Sequence, residues 1–171
     1  MLVRPAAPGD LDSCTAVYNH YVQTSVATFD TQPMTGRAAQ RWFESHQNEA
    51  HPLLVAELDG QVVGYGSLSR WSSRDAYSRT CEVSVFVSPA HQRRGVGAAL
   101  LEALIDAASR VAHRCLIARI EADNGPSIEL FRKAGFTSVG VMHQAGFKFD
   151  TWLDVEIMER LIEPKPASKT P

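Results

Sequence analysis

The run Gln92-Arg93-Arg94-Gly95-Val96-Gly97 lies between an apolar segment that reads as a strand, Glu82 to Val87, and an amphipathic segment that reads as a helix, Val96 to Val111. A strand, a glycine-bearing turn and a helix in immediate succession constrain the chain to an α/β unit whose helix packs back on a sheet. Leu100, Leu104, Ala107 and Val111 recur at intervals of three and four and supply the apolar stripe for that packing. The first turn of a helix has unpaired backbone N–H groups and the positive end of the macrodipole, and glycine lets an anion approach the backbone without a Cβ in the way. The run therefore reads either as a phosphate-binding turn or as a plain polar turn capping a helix. It lacks the Gly-Lys-Ser/Thr ending of a P-loop and the three-glycine spacing of a dinucleotide fingerprint, so it fits both templates poorly.

The flanking segments alternate in the same way. Leu2-Val3-Arg4 is a short strand candidate, followed by a turn at Pro8-Gly9-Asp10 and a helix carrying Leu11, Cys14, Val17, Tyr18 and Tyr21 at helical spacing. A second helix is predicted from near Thr35 to about Gln47, which leaves Ser25 to Pro33 as a long irregular connection of the kind that often carries function. Asp59-Gly60 joins Leu53–Ala56 to Val62–Leu68 as a hairpin. In Glu82–Val87 a period of two puts Val83, Val85 and Val87 on one face and Glu82, Ser84 and Phe86 on the other. A strand at Leu116–Ile120, a helix at Pro126–Lys133 ending at Gly135, and strands at Phe136–Met142 and Trp152–Leu161 complete a mixed α/β sheet covered by helices. Residues 1–163 read as one domain, and the Pro-rich tail 164–171 as disordered.

With 17 Lys and Arg against 19 Asp and Glu, the formal charge of −2 gives no global field for nucleic acid or an anionic membrane, so any anion site is local. No stretch has the roughly 18 apolar residues of a spanning helix, and the N-terminus lacks a secretory apolar core, so a soluble, cytoplasmic protein is expected. Cys14, Cys81 and Cys115 are widely spaced, with neither Cys-x-x-Cys nor histidines at ligand spacing, which points to free thiols and no metal.

The order of elements and the central Gln-x-x-Gly-x-Gly resemble the GCN5-related N-acetyltransferase (GNAT) superfamily over about residues 1–163. Further runs resemble its phosphinothricin and methionine sulfoximine acetyltransferase branch: Val17-Tyr18-Asn19-His20-Tyr21-Val22, Ala27-Thr28-Phe29-Asp30, Arg74-Asp75-Ala76-Tyr77 and Val85 to Gly95. Ile120-Glu121-Ala122-Asp123-Asn124, Gly135-Phe136 and Gly146 to Asp154 match as well. The resemblance implies a mostly antiparallel, twisted sheet of about seven strands flanked by about four helices. It also implies transfer of acetyl from acetyl coenzyme A to the amino group of a small amino-acid-like substrate, without a metal, in a homodimer.

By that resemblance the cofactor's pyrophosphate sits on Arg93, Arg94, Gly95, Val96, Gly97 and Ala98. Its pantetheine arm then pairs with the backbone of Val85, Phe86 and Val87 like an added strand. Asn124 is either a further cofactor contact or simply the N-cap of the following helix. The resemblance offers Glu82 as the general base an amine of pKa near 8 requires, the rival reading being a structural carboxylate paired with an Arg. Phe29, Arg74, Tyr77 and Lys148 fall in segments where the branch builds its acceptor pocket; a solvated Arg74, an exposed Lys148 and core aromatics are the bland alternatives. Phe131 stands where several relatives carry a histidine, and Asp150-Thr151 replaces a commoner Gly-Arg, so the acceptor's identity is open. The competing readings are a protein N-terminal or polyamine acetyltransferase and a non-catalytic acyl-CoA sensor.

Overall fold

A computed structural model describes residues 1–163; the expected tail, 164–171, lies outside the described residues. Seven strands form one sheet: β1 (Leu2–Pro5), β2 (Leu53–Leu58), β3 (Gln61–Arg70), β4 (Thr80–Val87), β5 (Cys115–Glu121), β6 (Thr137–Lys148) and β7 (Thr151–Leu161). Their spatial order is β1-β2-β3-β4-β5-β7-β6, and every neighbouring pair is antiparallel except β4 and β5. The helices are α1 (Leu11–Thr24), α2 (Gly36–Ser45), α3 (Val96–Arg110) and α4 (Gly125–Lys133). The mixed architecture expected from the sequence is therefore observed.

The two faces of β4 separate as its period of two requires. Cys81 and Val83 are buried with α3 and α4, with Val85 and Val87 packed alongside, whereas Phe86 packs with Tyr18, Tyr21 and Tyr65 under α1 and α2. On α3 the buried stripe is Val96, Leu100, Leu101, Leu104 and Ala108. This corrects the sequence reading at Ala107 and Val111, which are only half-buried: the stripe continues from Leu100 and Leu104 to Ala108 at intervals of four, and Ala108 joins the core beneath α3. Each large side chain so buried contributes about 1.5–3 kcal/mol, so this helix is anchored by packing rather than by propensity.

The hairpins follow their turn chemistry. Asp59 (φ 51°) and Gly60 (φ 78°) form the tight turn between β2 and β3, and Phe149 (φ 50°) and Asp150 (φ 56°) that between β6 and β7. β6 runs six residues beyond the expected Met142, because a bulge between Met142 and Gly146 restores pairing with β7. No helix among the described residues is long and apolar enough to cross a membrane.

Candidate active site

The parallel pair β4/β5 is in register only at Thr80↔Cys115, Cys81↔Leu116 and Glu82↔Ile117. Beyond Glu82 the strands diverge, so the backbone groups that Val83 to Val87 turn toward β5 lack a strand partner. A cleft of about 430 Å³ opens in the gap, within the usual range for small-molecule sites. Val85, Phe86 and Val87 line one wall, Arg119, Ile120 and Glu121 another, and the start of α3 with Asn124 and Leu130 closes the far end.

That far end presents backbone donors of the kind that suit an anion. Arg93 (φ 57°) and Gly95 (φ 82°) are both left-handed, which turns successive N–H groups inward; no side chain caps α3, whose first internal bond runs from Ala99 N–H to the Gly95 carbonyl. The N–H groups of Val96, Gly97 and Ala98 are thus free to receive phosphate oxygens. The turn is tied to its surroundings: Gln92 donates to the Tyr21 hydroxyl at 2.8 Å, and that hydroxyl donates to the Val87 carbonyl. Burial raises the pKa of Tyr21, which keeps it a neutral donor. His91, also in the lining, has a buried Nδ1 with no partner among the described residues. Sequence reasoning missed His91, although it directly precedes the run it singled out.

Of the residues expected to hold a cofactor, Val85, Phe86, Val87, Arg93, Gly95, Val96, Gly97, Ala98 and Asn124 all line this cleft. Arg94 is exposed and lies outside the lining. Asn124 fills its bland role too, its Oδ1 accepting from Ser127 N–H at 3.2 Å as the N-cap of α4. Phe131 is buried edge-on to Phe136 and gives the cleft an apolar base where a titratable group could have stood.

Glu82 is held by Arg119, whose Nε and Nη2 donate to its two carboxylate oxygens at 2.7 and 2.8 Å. The side chain of Glu82 is 18% exposed and that of Arg119 52% exposed. Arg119 lies beneath the Trp71 ring, 5.8 Å from its centroid, and the bond to Glu82 holds its pKa above the ordinary value. The pairing that the sequence offered as the rival to a free base is thus present, with Arg119 in the cleft lining and Glu82 outside it. Glu121 is the carboxylate in the lining among the described residues, buried and accepting from Asp123 N–H at 3.2 Å, whereas Glu82 lies outside it.

The expected acceptor residues are not gathered there. Lys148 is a correction to both sequence readings: it is 3% exposed, and its ammonium donates to the carbonyls of Ser25 (2.8 Å) and Thr28 (2.7 Å). It pins the 25–33 connection to β6, and Phe29 packs where a Cβ on Gly146 would stand, 2.3 Å from its ring. Tyr18 ties the same connection by sharing a 2.8 Å bond with Thr28 and donating to Asp30 at 2.7 Å. Arg74 and Tyr77 are exposed on the turn at Asp75–Tyr77, outside the cleft.

Residues 14–136 match the model of the acetyltransferase (GNAT) family. The chain is similar to the L-methionine sulfoximine/L-methionine sulfone acetyltransferase of Salmonella typhimurium, 38% identical over 98% of both chains. It is also similar to the phosphinothricin N-acetyltransferase of Streptomyces viridochromogenes, 35% identical over 96% of this chain and 92% of that one. Among solved structures, the GNAT superfamily phosphinothricin acetyltransferase of Sinorhizobium meliloti in complex with acetyl-CoA superposes with a TM-score of 0.92. It is 32% identical, covering 99% of this chain and 91% of that one. With a diverging parallel strand pair, an uncapped helix start beside it and these relatives across nearly its whole length, the chain belongs to the GNAT family and is an acetyltransferase.

Proposed function

We propose that the protein transfers acetyl from acetyl-CoA to the α-amino group of a small amino acid of the methionine sulfone, methionine sulfoximine or phosphinothricin type. The observation that carries this reading is that one cleft runs from the free N–H groups of Val96 to Ala98 to Arg119, whose guanidinium holds Glu82. Phosphates fit the first end and an amine the second. When bound, acetyl-CoA supplies an acetyl group already activated as a thioester, so no enzyme nucleophile is required. The unpaired backbone edge of Val83 to Val87 accepts and donates to the amides of the cofactor arm, as an added strand would. Glu82 is the general base: each carboxylate oxygen keeps a lone pair beyond its bond to Arg119 and takes the proton of an ammonium placed against it. Positioning of the amine over the strand supplies much of the remaining acceleration.

The same reading includes a homodimer. β6 is an edge strand exposing Val139, Val141 and Met142, and the hairpin beside it exposes Phe147, Phe149 and Trp152; apolar side chains so grouped on an open edge suit a second copy. It also places the protein in the cytoplasm, where Cys14, Cys81 and Cys115 stay reduced. A thiol-release assay with acetyl-CoA against methionine sulfone, methionine sulfoximine, phosphinothricin, other free amino acids, polyamines and short peptides tests the reaction. Turnover confined to polyamines or peptides would refute the acceptor, and absence of any cofactor binding heat would refute the donor.

A further inference from the structure

Three cations were available to recognise an acidic acceptor, and their surroundings separate them. Lys148 spends its ammonium on two loop carbonyls, and Arg74 stands outside the cleft. Arg119 lines it, half-exposed, at the point where β4 and β5 part. Glu82 fixes the plane of its guanidinium through Nε and Nη2, and Trp71 covers it from one side. Nη1 then has both of its N–H groups without a partner among the described residues. A guanidinium locked on one edge and open on the other is preorganised for a carboxylate on the open edge.

From this geometry we infer that Arg119 is the specificity-determining residue for the acceptor, binding the α-carboxylate of a free amino acid through its open edge while Glu82 receives the α-ammonium. The inference rests on the proposed acetyltransferase reading and narrows it to zwitterionic acceptors. A guanidinium–carboxylate pair is neutral overall and so matches an amino-acid zwitterion, whose two charges it meets with opposite ones. A polyamine brings no carboxylate for Nη1, and a peptide N-terminus brings its carboxylate too far from its amine. Arg119 takes no part in bond making; it sets where the amine stands, and Glu82 in turn holds Arg119.

The test compares L-methionine sulfone with its primary carboxamide, at saturating acetyl-CoA, in the wild type and in Arg119→Gln and Arg119→Lys. We expect the wild type to prefer the acid by about 100-fold in kcat/KM. Arg119→Gln should remove that preference by raising KM for the acid beyond whatever loss acid and amide share through the altered Glu82, so that the acid-to-amide ratio of kcat/KM falls to near one, and Arg119→Lys should restore part of it. Equal losses for acid and amide would assign Arg119 a structural role and overturn the inference. Equal wild-type use of the two acceptors would overturn it as well while leaving the acetyltransferase reading intact. Failure of the wild type to acetylate any amino acid, with acetyl-CoA still bound, would remove the acceptor reading and the inference together.

Discussion

Replacing Lys148 by Met tests whether this side chain serves the acceptor, as its sequence context suggested, or the architecture. The substitution keeps the length and apolar stem of the side chain and removes the ammonium that joins the Ser25 and Thr28 carbonyls to β6. A hydrogen bond to a charged donor contributes about 1.5–3 kcal/mol, and of these two only the bond to Thr28 is fully buried. Against that stands relief from holding an ammonium out of water, whose burial lowers the pKa of Lys148. The net expected loss is about 1–3 kcal/mol, which for a domain of this size is about 3–9 °C in Tm. Thermal unfolding by circular dichroism reads the shift, and amide hydrogen exchange should localise the loosening to residues 25–30. A Tm within about 1 °C of wild type, with exchange in that segment unchanged, would refute the structural assignment.

Other perturbations follow from the same geometry. Glu82→Gln should lower kcat about a hundredfold or more while acetyl-CoA affinity, measured by calorimetry, stays within a few fold; undiminished turnover would eliminate Glu82 as base. Gly95→Ala meets no atom within 4 Å yet forces an alanine to φ +82°, so the expected result is about 1–2 kcal/mol of destabilisation and weaker acetyl-CoA binding by a factor of about ten, read by melting and calorimetry. Sedimentation at low concentration should give a dimer that Val141→Glu dissociates; a wild-type monomer would defeat the assembly. Bonding to Arg4 depresses the pKa of Asp10 below its ordinary 3.8, so the stability this carboxylate contributes is present above that pH and lost as pH falls through its folded value. Burial depresses the pKa of His46 and His51 below 6.5, so the unfolded chain binds more protons and stability should already decline as pH falls below about that value; denaturant midpoints from pH 8 to 3 would show both phases.

Most of the fold is legible because its elements carry local signals. Asp59-Gly60 specifies a turn by its own torsional preferences, and the alternation at Val83, Val85 and Val87 assigns the faces of β4 without knowledge of its neighbours. The reading failed where a remote partner decides. The continuation of β6 past Met142 depends on a bulge that makes sense only opposite β7, and the choice of Ala108 over Ala107 depends on which face of α3 meets the core.

The candidate site divides along the same line. A glycine-bearing turn that opens a helix consists of consecutive backbone groups, so the order of residues from Gln92 to Ala98 was enough to locate it, and those that line the cleft are nearly the set expected. The acceptor end is made of side chains brought together from distant positions. Arg74, Arg119 and Lys148 are equivalent as letters, but Lys148 meets the Thr28 carbonyl 120 residues away and Arg119 meets Glu82 37 residues away. Charge type is a property of the residue, whereas its availability depends on burial and on which partners claim its donors; only the folded sheet assigns those.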